Sequence, residues 1–495
     1  MRRIRPAAEA MLFLALLALT TLIRSSGFVQ SVVDWDESLY ALVARELVRG
    51  HLPYVTLWAN KPPGLFAIIA LGFKAFGTNI VALRLVADIA VAISSFLLYR
   101  MGSLFGGYGS GIGAAAAIFY IAVTVEGGGL ATNAEILEAP LLCGAMLLVL
   151  QGSPERPQMS LARCAWLGLW LGLAIQIKET AVLEAAAIVA IALLVWRIDV
   201  SRLATVIAVA AVPTAVAFGI YALASQSRAF LDANILATIR FGSFIGAPPA
   251  TVGATMVKEA LLFAPLPLLC AAALAVLGWG RSMGAATRAL VACVALWLAA
   301  EALALAGLRE FEGHQFVMLA APMVLLSAYA LWYVLSFVPH PKTWLWVVIA
   351  LTYAAHAIGP VTHAARVTHE RALTGDPAAG DDAAELAERV SGASRGDRSL
   401  FVMHAQPIVY FLTDSEAPTR YAYPPYFEYP VQERIAGIDG AAVVRRVRAA
   451  QPHFILTTTY VYDVDPRTLQ AELRGLYPRY RLVFSMNGAV LLQRK

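Results

Sequence analysis

Apolar runs of nearly bilayer length recur along the first 361 residues of this chain and then stop. A helix needs about 20 predominantly apolar residues to cross a hydrocarbon core. Only helices and closed barrels satisfy their backbone there. The first run extends from Ala7 to Ile23, behind Arg2, Arg3 and Arg5. No Ala-x-Ala cleavage site follows cleanly, so it reads as an uncleaved span rather than a signal peptide. Further runs centre on 80–99, 111–125, 136–151, 164–177, 181–196, 203–224, 260–279, 289–307, 316–338 and 343–361. They predict a polytopic α-helical membrane protein with about 11 to 13 transmembrane helices. The stretch 62–76 reads as a short helix at or entering the membrane.

Composition agrees. The chain is 59% apolar and 14% charged, far from the balance of soluble domains and of disordered chains. Its net charge of +5 is spread along the sequence and comes mostly from Arg. Nucleic-acid binding needs a clustered patch, so that partner is not expected. Cys143, Cys164, Cys270 and Cys293 lie in or beside apolar runs without ligand spacing, and predict neither a disulfide framework nor a zinc site.

The connections alternate in charge. With a cytoplasmic N-terminus, Arg100, Arg156, Arg163, Arg197, Arg202, Arg281, Arg288 and Lys342 all fall inside, as the positive-inside rule requires. The loop 24–78, Glu126 to Glu135, Lys178-Glu179, the 225–258 loop and Leu308 to Gln315 fall outside. An odd number of spans places residues 362–495 outside too. That segment is charged and rich in Pro and Tyr. It carries candidate strands at 399–404 and 454–458 and candidate helices at 383–391 and 443–450. The expectation is a membrane domain over 1–361 and a small periplasmic α/β domain over 362–495. No Gly-rich nucleotide motif and no internal repeat is evident.

The outer side holds the chemistry. Asp34-Trp35-Asp36-Glu37 follows the first span, and the segment after it has apolar Leu39, Tyr40, Val43 and Leu47 opposite Arg45, Glu46 and Arg49. That pattern predicts a helix along the membrane surface. Asp34 with Glu37 fits a capping box, which leaves Asp36 without a structural role. A carboxylate fixed there suits proton abstraction from a hydroxyl. Asn60-Lys61-Pro62-Pro63-Gly64 places Lys61 before a helix N-terminus. Lys61 either snorkels there or binds an anion such as phosphate. Lys178 with Glu179, Arg240, His314 and Glu135 add charge on the same side, and Arg84 with Asp88 reads as an internal pair.

These motifs resemble the opening of the GT-C glycosyltransferases. Asp36-Glu37, Tyr40, Ala44-Arg45-Glu46, Lys61-Pro62-Pro63-Gly64, Phe76-Gly77 and Arg84 carry the resemblance. So do Asn133-Ala134-Glu135, Lys178-Glu179-Thr180, Arg240-Phe241, His314 to Pro322 and Tyr410 to Tyr423. The branch resembled is the bacterial protein O-mannosyltransferase-like and aminoarabinose lipid A transferase-like group. The latter has an acid where this chain has Asn60.

The resemblance implies an inverting transferase in the bacterial inner membrane, using a polyprenyl-phosphate-linked sugar and no required cofactor or metal. The expected catalytic residues are Asp36 and Glu37, with Asp36 as base. Lys61, Arg240, Lys178 and His314 are expected at the donor phosphate, with Tyr40, Asp34 and Glu135 in support. The acceptor is an envelope glycan, a lipid or a protein, and the expected state is a monomer. A transporter or flippase for a lipid-linked sugar is the alternative. It predicts charge buried mid-span and matched halves.

Overall fold

The computed structural model describes residues 6–152, 158–244, 265–279, 284–308, 312–393, 399–458 and 474–495, with positions 254, 257, 258, 262 and 263. Arg2, Arg3, Arg5, Arg156, Arg281 and part of the 225–258 loop lie outside the described residues.

Every apolar run within the described residues falls on a helix. Among the described residues, six helices are long and apolar enough to cross a bilayer: Pro6–Ile23, Ile80–Gly102, Val200–Leu223, Ala285–Ala306, Gly313–Leu335 and Pro341–Thr374. Shorter apolar helices are Pro63–Phe76, Gly109–Val123, Leu161–Ile175, Ala181–Val195 and Leu266–Ala275. Ala134–Leu150 carries Glu135 and Glu138 as well. Ala and Leu dominate these segments and form helix readily. Side-chain caps mark several starts. The Asn79 side chain accepts from Ala82 N at 2.9 Å, and that of Asp199 from Arg202 N at 2.9 Å.

The outward faces are apolar. Leu223 is 91% exposed, and Leu268 and Leu303 are each 74% exposed, which suits lipid contact and not water. Small residues draw helices together. A Cβ on Gly168 or Gly172 would collide with the backbone of Val206 and Ala210 on the Val200–Leu223 helix. That close approach is a common membrane packing device.

Buried ion pairs join the helices at one end. Arg24 donates to Asp88 Oδ1 (2.8 Å) and to the carbonyls of Thr124 (2.7 Å), Gly129 (2.7 Å) and Leu130 (3.0 Å). Arg84 does not neutralise Asp88, as their spacing predicted. It pairs with Glu37 instead, and Asp88 is held by Arg24, which follows the first helix.

The helix Trp35–Val48 also departs from expectation. It does not lie along a surface with a solvated face, since Arg45 and Glu46 are 5% and 7% exposed. Arg45 donates to the carbonyls of Tyr410 (2.8 Å) and Ser415 (3.2 Å). Elements after residue 382 cover the face that amphipathicity assigned to water.

Those elements include a four-stranded sheet of order β1-β2-β4-β3, with β1 Leu400–Val402, β2 Phe454–Thr458, β3 Tyr480–Met486 and β4 Ala489–Arg494. β1 and β2 run parallel, and the other pairings are antiparallel. The expected strands at 399–404 and 454–458 are β1 and β2. β3 and β4 form a hairpin that the sequence reading did not anticipate. Its turn is Asn487-Gly488, with φ of 48° and 85°, the left-handed pair that favours these residues in tight hairpins. The helix Pro341–Thr374 continues past residue 361 and brings the chain to this layer.

In Arg24→Met the Asp88 carboxylate loses its buried partner, which costs about 3–5 kcal/mol. The expected outcome is a clear fall in the thermal midpoint of the detergent-solubilised protein. Arg24→Met with Asp88→Leu recovers part of it, as three carbonyls still lack their donor.

Candidate active site

The Asp34 side chain caps the helix Trp35–Val48 and accepts from Asp36 N at 2.9 Å, completing the expected capping box with Glu37. The cap fixes where the next side chains point. Asp36 and Tyr40, four residues apart, share a face, and the Tyr40 hydroxyl donates to Asp36 Oδ2 at 3.2 Å. Glu37 turns away from them. It is sealed from solvent and accepts from both terminal nitrogens of Arg84 and from Val33 N and Thr132 N.

Asp36 opens onto a cavity of about 450 Å³ whose wall includes Asp34, Tyr40, Lys61, Glu135, Lys178, Glu179, His314, Tyr423 and Tyr426. Apolar helices end around it. Lys61 precedes Pro63–Phe76, Glu135 opens Ala134–Leu150, and Lys178 lies between Leu161–Ile175 and Ala181–Val195. Gly64 explains how the two lysine-bearing loops abut. A Cβ there would sit 2.6 Å from the Gln176 carbonyl oxygen. With only hydrogen in that place, Leu65 N donates to the same oxygen at 3.1 Å.

The lysines carry counterions. Lys178 Nζ lies 2.8 Å from Glu135 and 3.9 Å from Glu138. Lys61 Nζ lies 3.4 Å from Glu179. Lys178 and Glu179, adjacent in sequence, therefore do not pair with each other. Each reaches across to a different segment. His314 Nδ1 stands 3.2 Å from Asp34 Oδ2, and its Nε2 stands 4.0 Å from Glu135.

The two aspartates are pushed apart electrostatically. Burial and the neighbouring Asp34 carboxylate raise the Asp36 pKa above the ordinary carboxylate value. Burial pushes Asp34 up too, but the hydrogen bond and charge of His314 and the Asp36 N–H outweigh it and leave Asp34 lowered. Burial opposes the charge on Lys61, yet Glu179 and other carboxylates prevail, and its pKa is raised. One carboxyl held ionised beside another poised to exchange a proton is an arrangement that functional sites favour.

The predicted residues thus converge, with two exceptions. Glu37 lies behind the cavity and holds the scaffold. Arg240 is not among the lining residues. It donates to Asp232 (2.8 Å) and to the Ile435 carbonyl (3.0 Å), while the next residue, Phe241, reaches the wall. Sequence reasoning missed Tyr423, whose hydroxyl donates to Asp36 Oδ1 at 2.8 Å. It also missed Tyr426, which donates to Asn60 Oδ1 at 3.1 Å. The run Tyr421-Ala422-Tyr423-Pro424-Pro425-Tyr426 was the available signal, but nothing in it points to a carboxylate 387 residues away.

The profile of the dolichyl-phosphate-mannose-protein mannosyltransferase family matches residues 60–221. No curated protein matches the chain. Among solved structures, ArnT from Cupriavidus metallidurans bound to undecaprenyl phosphate is similar. The TM-score is 0.66 at 16% identity, over 99% of this chain and 98% of that one. Its apo form gives 0.62 at 16% identity, over 98% of each chain. The arabinofuranosyltransferase AftD from Mycobacteria gives 0.50 at 16% identity, over 99% of this chain and 40% of that one. The chain has the GT-C fold.

The Tyr423 phenol favours the ionised form of Asp36 by donating to it. In Tyr423→Phe the Asp36 carboxyl is therefore expected to titrate at higher pH than in the wild type. Difference infrared spectra across a pH series, assigned with Asp36→Asn, read that shift.

Proposed function

We propose that the chain is a membrane glycosyltransferase that moves a sugar from a polyprenyl-phosphate donor to an acceptor hydroxyl, with inversion. One observation carries the reading. A carboxylate held by two tyrosine hydroxyls shares a cavity with two lysines at the ends of apolar helices.

In this mechanism Asp36 takes the acceptor proton. The acceptor oxygen bonds to the anomeric carbon from the side opposite the phosphate. The anomeric carbon–oxygen bond to phosphate breaks, and the phosphate leaves with the electron pair. Lys61 and Lys178 stabilise its growing charge, which lowers the barrier where charge develops. A base with a raised pKa is matched to work near neutral pH. Tyr40 and Tyr423 fix the direction of the carboxylate, and His314 keeps Asp34 ionised as the helix cap. Glu37 and Arg240 act by holding the elements that carry these groups.

The same reading sets the topology. Residues 1–361 form the membrane domain in a bacterial inner membrane, with the N-terminus cytoplasmic. Residues 362–495 form a periplasmic domain, and the helix Pro341–Thr374 bridges the two. The lipid tail lies among the apolar helices. The acceptor, an envelope glycan, lipid or protein, enters beneath the periplasmic domain. The enzyme acts as a monomer and requires no added cofactor.

The test is transfer of radiolabelled sugar from undecaprenyl-phosphate donors to an envelope extract by purified protein. Asp36→Asn is expected to lose about 10²–10⁴-fold in rate, with donor binding retained. In the wild type, kcat/KM rises with pH as Asp36 ionises, above the ordinary carboxylate range. Donor binding without transfer by any preparation would overturn the transferase reading in favour of a transporter.

A further inference from the structure

Both cavity lysines already hold an anion of the protein's own, and the mechanism above gives those anions no task. Glu135 is bonded to Lys178 at 2.8 Å and has a second cationic partner within reach, His314 Nε2 at 4.0 Å. If Glu135 moves to His314, Lys178 keeps Glu138 at 3.9 Å, so it is never left bare. Glu179 meets Lys61 through one oxygen, while its other oxygen is buried and accepts no hydrogen bond among the described residues. A buried carboxylate oxygen with no donor is costly, and that cost makes the contact easy to exchange. Neither lysine can give its full attraction to a ligand phosphate while these carboxylates stay close.

The described lining of the cavity is acidic. Besides Asp36, which takes the acceptor proton, four carboxylates among the described residues line it, against three side chains able to carry positive charge: Lys61, Lys178 and His314. While Glu135 and Glu179 sit on the lysines, further negative charge on a ligand therefore meets net repulsion. A sugar-phosphate-lipid diester carries one negative charge. The monoester left after transfer carries about 1.5 to 2 at pH 7, since its second pKa is about 6.

We propose that Glu135 and Glu179 determine specificity for phosphate charge: they admit the monoanionic diester and expel the more highly charged spent lipid monophosphate. The proposal rests on the transferase reading. When the donor enters, its phosphate displaces the two carboxylates from the lysines. After transfer they return to Lys178 and Lys61, and the product phosphate loses its counterions. Turnover is kept from stalling on its own leaving group.

The experiment uses full-length protein in nanodiscs with undecaprenyl phosphate as probe and uncharged undecaprenol as control for the tail. Wild-type affinity for undecaprenyl phosphate is expected to weaken as pH rises through about 6. Glu135→Gln and Glu179→Gln are each expected to bind it about tenfold more tightly at neutral pH, since one repelling charge is gone. They lose much of the pH dependence, and undecaprenol binding stays unchanged, which reports intact protein. In the transfer assay, product inhibition tightens more than the donor KM falls. Equal or weaker undecaprenyl phosphate binding in both variants, with undecaprenol binding intact, overturns the proposal. Tightening in variants of a protein that transfers no sugar overturns the transferase reading and leaves the charge selection standing.

Discussion

The Glu37–Arg84 pair is the contact on which the cavity end of the molecule depends. Glu37 accepts from Val33 N, Arg84 and Thr132 N, so one sealed carboxylate ties three stretches of chain. The first begins the helix that carries Asp36. The second belongs to the membrane helix Ile80–Gly102. The third leads into the helix that opens with Glu135. Arg84 also donates to the Gly27 carbonyl at 2.9 Å, and so takes in the turn after the first helix. Removing a buried charge from water is expensive, and only a full set of partners repays it. Here that set is complete, and it fixes Asp36 relative to Glu135 without either touching the pair.

The cavity works by contrast of environments. Asp34 and Asp36 are two residues apart, yet one is stabilised as an anion by His314 and a helix terminus. The other is destabilised by burial and by that same anion. The lysines lie on loops brought together by backbone contact at Gly64 rather than by long side chains. Positions set by backbone lose little entropy when a ligand arrives, which favours preorganised stabilisation of charge.

Much of this was legible in the sequence, for identifiable reasons. The apolar runs predicted the helices because period and length are local properties. Asp34 and Glu37 announced their cap because a capping box is defined by a spacing of three. Asp36, Lys61, Lys178 and His314 stood out because charge beside a span is rarely idle. Pairing was not legible. Arg84 and Asp88 lie one turn apart and bind other partners, and Lys178 and Glu179 diverge although adjacent. Which charge meets which is decided by helix packing, and packing angles are not written in spacing. The burial of Arg45 and Glu46 was hidden for the same reason. An amphipathic helix shows which face is polar, but not whether water or another part of the chain covers that face. The Asn487-Gly488 hairpin, by contrast, was readable from its dipeptide and went unread.

Tyr423 belongs to the last quarter of the chain and binds the carboxylate that the first tenth supplies. The layer after residue 382 is thus a wall of the cavity, and the cavity is complete only when both ends of the polypeptide are present. On the transferase reading, such a chain is poorly suited to evolving new acceptors by exchanging that layer wholesale. A transplanted layer must bring a hydroxyl to the same oxygen of Asp36, or the recipient gains a new surface with an untuned carboxylate. Diversification in this architecture is channelled toward point changes and loop remodelling around a retained tyrosine.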